Sequence, residues 1–159
     1  MTHLTVAEAA GALWLLVATL LIPSAGAETV CLTLDGGESK RTFEVAVGDK
    51  LSLTFTHSIF GAQVEEHFRI GTTTFQPSEL RYAEPRLVEF YGHESARHEA
   101  GWWVVRPKPA ILPSLNLNLS NDASMSLFFD QAIIPLKVVI QPGSALRLTV
   151  AICENSADD

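Results

Sequence analysis

The sequence predicts an all-β domain, an antiparallel β-sandwich or open barrel of about 8–10 short strands. Three observations carry that expectation. Apolar and polar residues alternate with period two over most of the chain, as one buried and one solvated sheet face require. Turn residues recur roughly every 8–12 positions. No segment beyond residue 27 holds the 3.6-residue periodicity of a helix, which disfavours a parallel α/β fold with crossover helices.

Taken in order, Thr29 to Leu34 reads as a strand with Val30, Leu32 and Leu34 on one face and Cys31 and Thr33 on the other. Asp35-Gly36-Gly37 then turns the chain, because glycine tolerates positive φ. Arg41 to Val47 alternates Phe43, Val45 and Val47 with polar or small residues, and Gly48-Asp49 turns it again. Leu51, Leu53 and Phe55 alternate with Ser52, Thr54 and Thr56. After a turn near Phe60-Gly61, Val64, Glu66, Phe68 and Ile70 alternate with Glu65, His67 and Arg69.

The middle is less regular. Gln76-Pro77-Ser78 and Pro85 read as breaks around a short strand from Leu80 to Ala83. Leu87 to Tyr91 and Trp102 to Val105 read as strands, separated by a polar stretch from His93 to Gly101 that suits an exposed loop or one helical turn. The Pro-studded segment 106–113 cannot be a central strand. Leu115, Leu117 and Leu119 alternate with Asn116, Asn118 and Ser120, and Asn121-Asp122 turns into a strand from Met125 to Phe129. Ile133 to Ile140 and Ala145 to Cys153 form a last pair around Gln141-Pro-Gly-Ser144. No internal repeat or long linker divides residues 28–159, so one domain is expected.

Composition excludes several functions. The chain has 159 residues, is 47% hydrophobic and carries a net charge of −7, with 11 Lys and Arg against 18 Asp and Glu. That balance repels a phosphate backbone, and no basic run offers a nucleic-acid footprint. Hydrophobic content this high also opposes disorder.

Ala9 to Ile22 is almost unbroken apolar sequence, closed by Pro23-Ser24 and the small residues Ala25-Gly26-Ala27. This is the order of an export signal over residues 1–27, cleaved between Ala27 and Glu28. The run of about 14 residues falls short of the roughly 20 needed to cross a bilayer, although the segment before it lacks Lys and Arg. Once the signal is removed, no stretch could span a membrane, and a periplasmic or otherwise exported location is expected. Cys31 and Cys153 are then expected to form a disulfide. Both lie opposite the apolar faces of their end strands, so a bridge would join two outer-face positions.

Standard catalytic motifs are missing: there is no Gly-rich phosphate loop, no dinucleotide fingerprint and no nucleophile elbow. His93 and His98 are five positions apart, which on a helix points them about 140° apart rather than to one metal. No metal site or cofactor is expected. One segment stands out, because His57 and Glu66 both occupy apolar-face positions of adjacent strands, where ionisable groups are costly unless paired or solvated. A two-residue turn at Phe60-Gly61 would pair His57 with Val64 and Phe55 with Glu66. His57 and Glu66 would then be diagonal neighbours, with Cβ atoms roughly 6–8 Å apart, meeting as a charged pair to which Ser58 adds a hydroxyl.

The run from Gly48 through Thr56-His57-Ser58-Ile59, then Gln63-Val64-Glu65-Glu66 and a strand to Ile70, resembles the bacterial "domain of unknown function 1850" family. That family has a hydrophobic strand ending in His-Ser-Val or His-Ser-Ile, followed by a Val-Glu-Glu segment. Pro142-Gly143 before the last strand also fits. Where the family has a Gly-Ala-Gly-Leu-Pro-like stretch, this chain reads Ala83 to Gly92. The resemblance implies a small exported accessory or binding domain of a TAXI-type tripartite (TRAP) importer of organic anions, without enzymatic activity. Its partner would be the transporter permease or the solute-binding protein. The alternatives are a metal-dependent periplasmic hydrolase using His57, Glu66 and a histidine of the 93–98 loop, or a purely structural envelope protein.

Overall fold

The computed structural model describes residues 27–119, 124–130, 132–141 and 143–154. Residues 1–26 of the expected 1–27 export signal, and the Asn121-Asp122 turn, lie outside the described residues. Two antiparallel sheets face each other. The strands are β1 (Thr29–Asp35), β2 (Lys40–Ala46), β3 (Lys50–Thr56), β4 (Gln63–Ile70), β5 (Phe75–Tyr82), β6 (Arg97–Glu99), β7 (Trp102–Val105), β8 (Leu115–Asn118), β9 (Ser126–Phe129), β10 (Ala132–Pro135) and β11 (Ala145–Ile152). One sheet runs in the order β2-β1-β11-β8, the other β10-β9-β3-β4-β5-β7-β6. The all-β sandwich is as the alternation predicts, with eleven strands among the described residues rather than about 8–10 because β6 and β10 are short edge strands.

The inner faces are those read from the sequence. Val30, Leu32 and Leu34 of β1 and Leu146, Leu148 and Val150 of β11 meet Leu51, Leu53, Phe68, Ile70, Leu127 and Phe129 of the facing sheet. Each such side chain, fully buried, stabilises by roughly 1.5–3 kcal/mol relative to exposure. On the outer face, Cys31 and Cys153 form the expected disulfide, with Cα atoms 5.0 Å apart. β1 and β11 are neighbours with Cys31 opposite Ala151, so Cys153 lies diagonally across, just past the strand end.

Four segments differ from the sequence expectation, the first being the polar stretch from His93 to Gly101, where Arg97–Glu99 pairs with β7 as β6 in place of a loop or helical turn. Gln76-Pro77-Ser78 does not interrupt the chain but lies within β5. The register of β4 and β5 shifts between His67 and Phe68, so His67 faces Glu79 while Phe68 faces Pro77. A proline is tolerated beside such a bulge, and β7 pairs only with residues 80–82, leaving Pro77 no ladder partner to satisfy on that side. Leu87 to Tyr91 is not a strand: residues Pro85–Phe90 form a short helix, α1, with Pro85 in its first turn. Its end is a Schellman closure. His93 N–H donates to the Val88 carbonyl (3.0 Å) and Gly92 N–H to that of Glu89 (2.9 Å), with Gly92 at φ +71°. Ile133 to Ile140 is likewise not one strand, because β10 ends at Pro135 and a 3-10 turn follows over Leu136–Val138.

A second, smaller cluster fills the space beneath α1: Val64, Tyr82, Leu87, Val88 and Val105. Along the inner face of β4, Val64 thus belongs to one cluster and Phe68 to the other. Glu66 sits at the seam between them.

Candidate functional site

The turn between β3 and β4 positions His57. His57 N–H donates to the Ala62 carbonyl and Gly61 N–H to that of His57, both at 2.8 Å, with Gly61 at φ +61°. The turn is therefore four residues long, Ser58 to Gly61, and not the two-residue turn expected. This moves the register by two positions: Phe55 faces Val64, and Glu66 faces Leu53. A shift of two preserves which face each side chain takes, so His57 and Glu66 do share the inner face. It separates them along it, however, with the Phe55–Val64 pair between. Among the described residues they form no ion pair, which corrects the expected contact.

His57 instead packs among aromatic rings. It is 8% exposed, with ring centroids 4.9 Å from Phe90, 5.2 Å from Phe60 and 5.8 Å from Tyr91. Its Nδ1 accepts a hydrogen bond from Ile59 N–H at 3.3 Å, which leaves Nε2 as the protonated nitrogen of the neutral ring. The Arg86 guanidinium lies 5.2 Å over the Phe60 ring. Ser58 is exposed at the tip of the turn. Around this centre large apolar side chains are exposed: Ile59 is 71%, Phe90 52% and Tyr91 39% exposed. Tyr91 also stacks on buried Tyr82 at 5.4 Å, and the Tyr82 hydroxyl meets His93 Nε2 at 2.8 Å. The Schellman closure after α1 is what brings His93 back to that position.

Glu66 approaches the same tyrosines from the seam. Its burial raises the carboxyl pKa, and its negative charge, after burial itself, helps push the Tyr82 and Tyr91 hydroxyls upward. The carboxylate lines a groove of about 390 Å³ with Phe68, Pro77, Leu80, Leu112 and Leu115. Tyr91 is thus the residue that senses both members of the expected pair.

The opposite face of the same hairpin holds a network the sequence reading passed over. His67 occupies an outer-face position yet is only 4% exposed. Its Nδ1 lies 2.8 Å from the Ser52 hydroxyl, and its Nε2, 3.5 Å from a Glu65 carboxylate oxygen, has no hydrogen-bond partner. Arg81 bonds Glu79 at 2.6 Å and lies 3.9 Å from Glu65. Burial, with the positive charges of Lys50 and Arg81, pushes the His67 pKa down to about 4, outweighing the nearby carboxylates. His67 is therefore neutral near pH 7. Only the stacking of three strands' side chains reveals this burial; alternation alone marks the position as solvated.

The four other candidate residues fall in three places. Cys31 and Cys153 are joined, remote from the His57 turn. His93 bonds Tyr82, while His98, on edge strand β6, packs against Trp103 at 5.0 Å. Among the described residues, no three His, Cys, Asp or Glu side chains gather in a metal-binding arrangement. No described helix is long and apolar enough to cross a membrane.

Comparison of the chain with family models, curated proteins and solved structures gives no match. The fold and the side-chain geometry therefore carry the functional reading. The turn after β3 supplies His57, Ile59 and Phe60 to this rim. The segment Ala83 to Gly92 holds α1 and supplies Phe90 and Tyr91 to the same rim.

Proposed function

We propose that the chain is an exported, non-catalytic accessory domain of a TAXI-type organic-anion importer, and that it meets the permease or the solute-binding protein through the rim around His57. The observation that carries this reading is the exposed aromatic pair Phe90 and Tyr91 packed on a buried histidine, with exposed Ile59 bonded to the same ring through its N–H. Apolar side chains held together at a surface of an otherwise acidic chain favour burial against a protein partner. The segment resembling the family lies at that rim, and this is the reason for choosing a transporter component as partner. An outer-face disulfide suits an oxidising compartment.

The hydrolase reading fits the geometry less well. It requires His57, Glu66 and a histidine of the 93–98 loop around one ion, whereas His57 lies in an aromatic cage, Glu66 in a separate groove and His93 on Tyr82. Affinity purification of the tagged full chain from detergent-solubilised native membranes tests the proposal. The permease or the solute-binding protein is expected in stoichiometric amount. Recovery of the chain with neither overturns it.

A further inference from the structure

We propose that the groove at the seam of the two hydrophobic clusters binds a small organic ammonium compound, its cationic nitrogen on Glu66 and its apolar body along Phe68, Leu80, Leu112 and Leu115. This site shares no lining residue with the rim around His57 and does not depend on the partner proposed there.

Size comes first. The groove holds about 390 Å³, within the roughly 300–1,000 Å³ typical of small-molecule sites. It opens between β4 and β5 of one sheet and β8 of the other, and Pro77 and Pro107 form part of its wall. A proline-rich wall has little conformational entropy to lose on binding.

Chemistry is the second argument. The lining is predominantly apolar, with Glu66 its single ionisable group and Ser114 and Asn116 the other polar residues, the Asn116 side chain turned to the outer face of β8. Among the described residues Glu66 has neither an ion pair nor a side-chain hydrogen bond. A carboxylate in that setting carries an uncompensated desolvation cost, visible in its raised pKa. An ammonium group would relieve that cost and gain a charge-assisted hydrogen bond in a medium of low dielectric. An anion would be repelled. The transported anion of the proposed importer is therefore not the occupant, and the ligand must carry a positive group.

The apolar body follows from the walls. Leucine, phenylalanine and proline side chains present no further donors or acceptors, so a branched-alkyl or aryl group fits where a second charged group would be stranded. Ser114 stands beside β8 on the wall of the opposite sheet, where it can orient a single additional polar substituent.

Titration of the isotopically labelled full chain, followed by amide chemical shifts, tests the site with three probes of similar shape: 2-phenylethylammonium, the neutral 3-phenylpropanol and the anionic 3-phenylpropanoate. The ammonium probe is expected to bind saturably, to shift the Leu80 and Leu115 amides, and to bind at least about tenfold more tightly than the alcohol. Glu66→Gln, which keeps size and relieves the buried charge, is expected to melt no lower than the wild type at pH 7 while abolishing that tenfold preference. Equal or tighter binding of the alcohol or the carboxylate overturns the proposal. So does an unchanged ammonium preference in Glu66→Gln, or the absence of saturable binding by the ammonium probe. Should Glu66→Gln fail to fold, the ranking of the three probes on the wild-type chain decides alone.

Discussion

Replacing Cys31 and Cys153 together with serine is expected to lower the unfolding free energy by about 4–5 kcal/mol. The bridge joins residues 122 apart in sequence, and in the chain-entropy model closing a loop of that length removes roughly this much free energy from the unfolded ensemble. For a domain of this size the loss corresponds to a fall in melting temperature of roughly 15 °C. The position adds a structural consequence. β1 and β11 are the two central strands of the four-stranded sheet, paired from Val30–Ile152 to Asp35–Arg147. Without the bridge, the end of that pairing nearest residues 30 and 152 is expected to fray first, and amide exchange there to rise ahead of exchange at Leu34 and Leu148. Thermal or denaturant unfolding of the double variant checks the magnitude. A melting temperature within a few degrees of the wild type would refute it.

The second large effect is acid sensitivity at His67. Its folded pKa is pushed down to about 4 from an ordinary value of 6.5. Between those values the unfolded chain binds a proton at this site that the folded chain does not. Stability therefore rises with pH through this window, and acidification removes it. The span is worth about 3 kcal/mol, fully present above pH 6.5 and lost as the pH falls to about 4. His67→Gln deletes the titrating ring and retains a group able to bond the Ser52 hydroxyl. The variant is expected to lose about 3 kcal/mol less than the wild type between pH 6.5 and pH 4. Glu66, with its pKa raised, acts in the opposite direction, because the folded form takes up its proton first. It is common to both proteins and cancels in the comparison. Parallel pH dependences in the two proteins would show that His67 titrates normally.

These expectations draw on parts of the molecule that the sequence reveals unequally. Strict alternation exposed the inner faces of β1, β3, β4 and β11, and with them the parity that lets Cys31 and Cys153 meet. The same alternation placed His57 and Glu66 on one face. It could not supply the distance between them, because that depends on turn length. Ser58 to Gly61 make a four-residue turn, and two extra residues in the turn preserve the face while moving the contact. Pro77 reads as a chain break because its tolerance depends on the bulge opposite His67. α1 has six residues, too few for a 3.6-residue period to show in the sequence. The aromatic rim joins a turn at residues 57–60 to a helix end at 90–91, a proximity no local pattern encodes.

The rim around His57 bears the functional proposal, and a charge placed on it is the most direct test. The partner recovered with the wild-type chain is titrated against Ile59→Asp/Phe90→Asp and against Ile133→Asp. Ile133 is a comparably exposed isoleucine, 63% exposed against 71% for Ile59, on edge strand β10. Two desolvated carboxylates in an apolar interface cost several kcal/mol, so the rim variant is expected to bind at least about 100-fold more weakly. Its melting temperature is expected to stay within a few degrees of the wild type, and the Ile133 variant to bind normally. Undiminished binding by a folded rim variant, or an equal loss in both variants, would contradict the proposal.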